Sequence, residues 1–249
     1  MGVLTALRVT GAVVIVLIII LTIVIPYYFL IIRGTQWYSR WGNHHISDQM
    51  PISEAYSTLK TGDLILFAST TQVFTHHMLQ TYFTHSSMVV REGDLVYLTE
   101  AQSGDSLIQT SDGKEWRTNS GATLTPFLSR IKYYMGPAYH LRLSQPLDPD
   151  AEEAIKAEAD KLCADAYPYP DWLQGIYGFL TKGTISARHC FQHVAHLLDV
   201  GNLTPVDLPD GAASTGFVGC GKAIAEISGK KLPGGRYYHK PVELIYDVT

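Results

Sequence analysis

The longest uninterrupted apolar stretch of the chain lies close to its N-terminus. From Val9 to Ile32 no residue carries a charge, and the segment from Val13 to Leu21 is almost purely aliphatic. As a helix this stretch would be about 36 Å long at about 1.5 Å per residue, which is enough to cross a hydrocarbon core of about 30 Å with some tilt. The pattern therefore predicts one transmembrane helix over residues 9–32, after a short tail at residues 1–8.

A cleaved signal peptide is the alternative reading of this segment. Its apolar core would be roughly 7 to 15 residues long and would end in small residues. Here the run is longer and is followed by interfacial aromatic and basic side chains, which are typical of a helix end that stays in the membrane. These residues are Tyr27, Tyr28, Phe29, Arg33, Trp37, Tyr38, Arg40 and Trp41. We therefore predict an uncleaved single-pass anchor in a lipid bilayer, and the arginines that follow it favour a domain on the cytoplasmic side.

The rest of the chain alternates short apolar runs with amphipathic stretches. Residues 33–49 form a juxtamembrane linker, and residues 50–249 fit one domain. Strands are predicted near 64–67, 87–90, 95–98, 139–143 and 242–246, and helices near 72–82, 148–166, 187–200 and 217–227. Because these elements are mixed without a regular βαβ alternation, the predicted class is α+β, with a small antiparallel sheet packed on helices.

Composition and charge narrow the possible functions. The formal net charge of −4 gives no basic excess of the kind that binds nucleic acid, and 46% hydrophobic residues is too apolar for disorder. The three cysteines, Cys163, Cys190 and Cys220, cannot all pair with one another and show no disulfide-framework spacing. Their number fits a reducing compartment or a free functional thiol.

Cys190 lies in the most informative helix. At about 100° per residue it shares an arc with apolar residues, so its thiol points towards the rest of the fold from the first helical turn. The other residues of this arc are Phe191, Val194, Leu197 and Leu198. A helix N-terminus can lower the pKa of a cysteine, which is what a thiolate nucleophile needs. The alternative is that Cys190 is simply a small buried apolar residue.

Three histidines form a separate stripe on the same helix. His189, His193 and His196 have the spacing with which helical histidines can share a metal ion. No glutamate accompanies them in a zinc-protease pattern, and histidines on a solvated helix face are common. We predict no metal or other cofactor, although a zinc-binding, membrane-tethered interaction protein stays an alternative.

A second candidate pair lies on the predicted hairpin. His85 leads the first strand and Glu100 ends the second, and antiparallel pairing brings those two ends side by side. A carboxylate beside a histidine fixes its tautomer and raises its basicity, as in the base and orienter of a catalytic triad. The same pair could also be a surface hydrogen bond.

These segments together resemble a known family. The quoted stretches are 59–69 (LKTGDLILFAS), 84–90 (THSSMVV), 96–101 (VYLTEA), 169–171 (YPD) and His189-Cys190. In this order they look like the YiiX-like proteins, a circularly permuted branch of the NlpC-type papain-like hydrolases. The stretch from Cys190 to Val194 is also similar to the cysteine motif of lecithin–retinol acyltransferase relatives, which act on lipid acyl groups.

The resemblance implies both a fold and a site. The fold would be a permuted papain-like domain, and the triad would be Cys190, His85 and Glu100. Tyr169 and Asp63, in the matching segments, are the further residues expected at the substrate or the oxyanion. The chain departs from the family at Phe191-Gln192, where Ser-Glu is usual, and at residues 86–88, where a Val-Gly-Ile-like run is usual.

The function that follows is hydrolysis or acyl transfer at an amide or ester bond through a thioester intermediate. The substrate could be a peptide, a peptidoglycan-like molecule or a lipid acyl group. The alternative is a non-catalytic binding module on the same fold.

Overall fold

The computed structural model describes residues 17–24, 48–68, 82–102, 106–109, 115–118, 121–134, 136–164, 189–205 and 217–247. Of the predicted anchor it describes only residues 17–24, which are helical and end in the π-helical stretch Ile20–Val24. Among the described residues, no helix combines the length and the apolar character that crossing a membrane requires. Most of residues 9–32 lies outside the described part, so the anchor stays a prediction.

A mixed sheet forms the centre of the domain. Among the described residues it has seven strands, in the order β1-β9-β8-β2-β3-β4-β7. Their bounds are β1 Gln49–Pro51, β2 Leu64–Phe67, β3 His85–Glu92, β4 Leu95–Gln102, β7 Gly121–Pro126, β8 Ala138–Leu141 and β9 Val242–Ile245. Only the β1–β9 pair is parallel, and every other neighbouring pair is antiparallel. Two more strands, β5 (Ser106–Gln109) and β6 (Glu115–Thr118), pair as a separate ribbon.

Helices cover both faces of this sheet. The bounds are α1 Ile52–Thr58, α2 Phe127–Tyr133, α3 Pro149–Ala164, α4 Cys190–Val200 and α5 Phe217–Ala225. The side chains of Leu64 and Leu66 pack with α3, α4 and α5, whereas Ile65 and Phe67 pack with α1 and α2. Because both faces are covered, β2 is apolar at every position rather than alternating. The predicted α+β class is confirmed, with a larger sheet than expected.

Element bounds differ from the predictions mainly at their ends. The predicted strand 139–143 is Ala138–Leu141, and the predicted helix 148–166 is Pro149–Ala164, after which the chain lies outside the described residues. Helix α4 begins at Cys190 instead of near residue 187, because His189 is already in an extended conformation. The helix predicted at 72–82 falls on residues that are not described, except for Tyr82, which is not helical.

Asp63 organises the turn that leads into β2. Its buried carboxylate accepts hydrogen bonds from the backbone N–H groups of Lys60 (3.1 Å) and Leu143 (2.9 Å). The third donor is the Nε2 of His140, at 3.0 Å on the neighbouring strand β8. Gly62 has a φ of +92°, and a Cβ there would lie 2.9 Å from Leu147. These bonds give Asp63 a structural role, and its predicted contact with substrate stays a prediction.

Replacing Asp63 with alanine should destabilise the fold without acting directly on Cys190. The change would leave buried donors of Leu143 and His140 without their carboxylate, and loss of one partner of a buried polar pair costs about 3 to 5 kcal/mol. Chemical denaturation should show this loss in the free energy of unfolding. Glu92→Ala, at an exposed position at the end of β3, should change it by less than about 0.5 kcal/mol. A similar small effect for Asp63→Ala would contradict the structural role.

Candidate functional site

The β3–β4 hairpin places His85 and Glu100 next to each other. The two strands pair from Glu92–Leu95 to Met88–Thr99 around a two-residue turn that begins at Gly93. Strand alternation puts His85 on the same face as Glu100, and His85 Nε2 lies 2.5 Å from Glu100 Oε2. The prediction that the hairpin brings these two side chains side by side is therefore confirmed.

The carboxylate of Glu100 is completely buried and accepts four hydrogen bonds. Its Oε2 accepts from His85 Nε2 and from the hydroxyl of Ser87, at 3.0 Å. Its Oε1 accepts from Arg130 Nε at 2.6 Å and from Gln102 Nε2 at 3.3 Å. Burial alone would raise the pKa of Glu100, but the charges of Arg130 and His85 outweigh it and lower the pKa to about 2. Glu100 is therefore an anion throughout the neutral pH range.

Arg130 is a site residue that the sequence analysis missed. It lies in the short helix α2, and its guanidinium packs over the rings of Phe67 (5.2 Å) and Tyr134 (5.1 Å). In the sequence it is one of two basic residues in a short amphipathic stretch, a pattern typical of an exposed helix face. Only the packing of α2 beside β4 identifies its partner.

Cys190 is the first residue of α4. His189 is the N-cap residue, and its backbone N–H donates to the side-chain oxygen of Gln192 at 3.4 Å, as in a capping box. The amide groups of the first turn give this end of the helix a partial positive charge, which stabilises a thiolate. Cys190 is 5% exposed and packs in the same apolar cluster as Phe191 and Val194. The predicted apolar arc of this helix is therefore confirmed.

Two imidazoles act on the thiol of Cys190. Burial alone would raise the pKa of Cys190, but the neighbouring imidazoles of His85 and His189 lower that pKa to about 6. Burial alone would likewise lower the pKa of His85, but Cys190 and Glu100 raise it to about 9. Between these values the pair is a thiolate and an imidazolium. Since Nε2 of His85 faces Glu100, Nδ1 is the nitrogen left for the thiol.

The structure brings Cys190, His85 and Glu100 together: His85 is hydrogen-bonded to Glu100, and its charge acts on the thiol of Cys190. Tyr169 lies outside the described residues. Asp63 lies away from the three, because it precedes β2 at the end opposite to Phe67, the residue that pairs with His85.

The N-cap histidine and the two histidines of α4 have three different neighbours. His189 lies beside Cys190 and lowers the pKa of its thiol, His193 Nε2 lies 2.8 Å from the Thr99 hydroxyl, and His196 Nε2 lies 2.8 Å from Glu158 Oε1. His189 and His193 are buried, so the alternative of a solvated histidine face is wrong for these two. Within the described part of the chain, no group of three or more histidine, cysteine, aspartate or glutamate side chains is arranged to hold a metal ion.

Comparison with known proteins gives similarity to solved structures and no family assignment. No protein-family model matches the sequence. No curated protein matches it either. Among solved structures, the chain is similar to the crystal structure of the metalloprotein YiiX from Escherichia coli O157:H7, with 14% identity and a TM-score of 0.40. That match covers 76% of this chain and 98% of the other. An assignment of function to this chain therefore depends on the geometry of its site.

Proposed function

We propose that this chain is a cysteine-nucleophile hydrolase or acyl transferase that acts on an amide or ester bond. The observation that carries the proposal is the grouping of Cys190 with the hydrogen-bonded pair of His85 and Glu100, with the thiol at the start of a helix and the carboxylate fully buried. A nucleophile, a base and a group that orients the base, in this order, are the parts of a catalytic triad recognised by geometry.

The first half of the reaction forms a thioester. The Cys190 thiolate attacks the carbonyl carbon, and the negative charge moves to the carbonyl oxygen. The backbone N–H of Cys190, at the start of α4, is placed to donate a hydrogen bond to that oxyanion. As the tetrahedral intermediate collapses, the His85 imidazolium gives its proton to the leaving amine or alcohol, and the carbon–nitrogen or carbon–oxygen bond breaks.

The second half returns the enzyme to its starting state. Neutral His85 takes a proton from water or from an acceptor hydroxyl or amine, whose oxygen or nitrogen attacks the thioester carbon. The carbon–sulfur bond then breaks and Cys190 leaves as a thiolate beside the reformed imidazolium. Glu100 keeps one His85 tautomer in place throughout, because Nε2–H donates to its carboxylate.

The proposed fold is the permuted papain-like one. The sequence resemblance to the YiiX-like branch supports it, as does the order of the elements, in which the His85 and Glu100 strands precede the Cys190 helix.

We also propose that residues 9–32 anchor the domain in a membrane, with the domain on the cytoplasmic side, because the run is long, uncharged and followed by arginines and aromatic residues.

The pH dependence of alkylation tests whether Cys190 is an activated thiol. We expect its iodoacetamide rate to rise as the pH increases through about 6, because the thiol becomes a thiolate there, and to level off before His85 loses its proton near pH 9. Peptide mass spectrometry resolves the three cysteines. Cys220 should stay slow, because burial raises its pKa. A Cys190 rate at pH 7 no higher than that of the half-buried Cys163 would contradict the proposal.

The triad predicts non-additive losses in acyl-enzyme formation. With an activated-ester probe, Cys190→Ala should abolish covalent labelling, and His85→Ala should slow it by about 10²- to 10⁴-fold because the imidazolium that stabilises the thiolate is lost. Glu100→Gln should cost less, and the double variant His85→Ala with Glu100→Gln should resemble His85→Ala alone. Stopped-flow release of the leaving group measures each rate.

His196→Ala is the matched control for that series, since His196 lies on the same helix and pairs with Glu158. It should leave the rate within about twofold. Equal rates for His85→Ala and the unchanged protein would favour the binding-module alternative.

The anchor predicts membrane retention of the full chain. It should resist extraction with sodium carbonate, because its apolar run is long enough to span the bilayer. The double change Val16→Lys with Ile20→Lys adds two charges at the centre of the run, at about 2.5 to 3.5 kcal/mol each. That variant should move to the soluble fraction. Extraction of the unchanged, unproteolysed chain would refute the anchor.

A further inference from the structure

We infer that Arg130 is a positioning residue of this site, which acts through Glu100 to hold His85 and thereby to keep Cys190 a thiolate. The inference rests on the proposed function and extends it to a residue outside the three triad positions. Arg130 itself contacts neither Cys190 nor His85 through a hydrogen bond among the contacts of the described residues; its partner is the carboxylate between them.

Arg130 and His85 bind the same carboxylate. Arg130 Nε lies 2.6 Å from Oε1 of Glu100, and His85 Nε2 lies 2.5 Å from Oε2. Because the two strongest donors bind different oxygens of one carboxylate, rotation of the carboxylate would break both bonds at once. A charge-assisted hydrogen bond is about twice as strong as a neutral one, so Arg130 contributes much of the restraint. The orientation of His85 therefore depends on a group supplied by another element, helix α2.

Arg130 is itself held in place by two aromatic rings. Its guanidinium lies over both Phe67 and Tyr134, whose ring centroids are 4.5 Å apart. The Phe67 ring also lies 5.5 Å from the ring of His85. The Phe67 ring thus contacts both Arg130 and His85, the two cations that bind Glu100. A guanidinium suits such a place because it can stack on rings while it donates in its own plane, which an ammonium does not reproduce.

The charge of Arg130 also affects the groups around the thiol. Arg130, Glu100, His85 and Cys190 form a series in which positive and negative groups alternate. His189 also faces the thiol from the start of α4, and Cys220 lies on α5 close enough for the thiolate to raise its pKa. Without Arg130, the buried carboxylate would have one cation instead of two. Held by one cation only, it would orient the His85 imidazolium less firmly towards the thiol, and the thiolate would then be stabilised less.

Arg130→Gln tests this inference in the full chain. The readout is the pH midpoint of iodoacetamide labelling at Cys190, which requires no substrate. We expect the midpoint to move upward by about one pH unit, so that labelling at about pH 5, well below the midpoint, falls by about tenfold. Arg130→Lys keeps the charge but not the planar donor, and should give a smaller upward shift, with labelling reduced about threefold. Should Arg130→Gln fail to fold, Arg130→Lys carries the test.

Two further variants separate positioning from a general effect of charge. Arg236→Gln removes the same charge from the Arg236–Asp148 pair, where the aspartate side chain is 74% exposed, and should leave the midpoint unchanged. In a Glu100→Gln background, Arg130→Gln should cause no further shift, because the carboxylate through which it acts is gone. Thermal unfolding of each variant identifies those that have lost the fold.

The outcomes distinguish the inference from the proposed function. A midpoint near 6 in the unchanged protein that stays in place in both Arg130 variants would overturn the role of Arg130 and leave the nucleophile intact. An equal shift with and without Glu100 would also overturn it, since the effect would then bypass the carboxylate. A midpoint near that of an ordinary cysteine, about 8.5, in the unchanged protein would overturn the proposed function itself.

Discussion

The buried carboxylate of Glu100 is the constraint on which the rest of this site depends. A carboxylate removed from water loses several kcal/mol of solvation, which only well-placed donors and positive charges can offset. Here the donors come from three elements: His85 and Ser87 on β3, Gln102 on β4 and Arg130 on α2. The requirement to satisfy one anion thus ties the hairpin to a helix on the same face of the sheet. It also fixes the histidine whose other nitrogen is available to the thiol.

The position of His85 at the end of a strand explains how groups from both faces of the sheet meet. Its pairing partner Phe67 belongs to the apolar cluster on the α1–α2 side, whereas Cys190 belongs to the cluster on the α3–α4–α5 side. In the middle of a strand, a side chain reaches only one face. At the first residue of β3, the imidazole can contact Glu100 on one side and the N-terminus of α4 on the other. The site therefore requires the start of β3 and the start of α4 to lie next to each other.

At the start of α4, a residue that departs from the YiiX-like pattern still caps the helix. Gln192 stands where the resemblance leads one to expect glutamate, yet its side-chain oxygen accepts the backbone N–H of His189 as a capping-box residue does. Helix α4 therefore begins at Cys190, three residues later than its apolar pattern suggested. The thiol consequently lies at the first helical position, where the field of the helix N-terminus is strongest.

Local patterns in the sequence determined the hairpin and the orientation of the Cys190 helix. Strand alternation around Gly93 was enough to pair His85 with Glu100, and helical periodicity was enough to turn Cys190 inward, because both depend on residues close in the chain.

The contact between Cys190 and His85 was expected only from the family resemblance. Arg130 could not be predicted at all, since its partner belongs to another element and is chosen by packing of α2 against the sheet. Packing between distant elements also set the contact of buried His193 with Thr99 and the hydrogen bond between His140 and Asp63. Periodicity tells which face of an element is buried, but the particular partner on that face is set by how distant elements pack to satisfy every buried polar group.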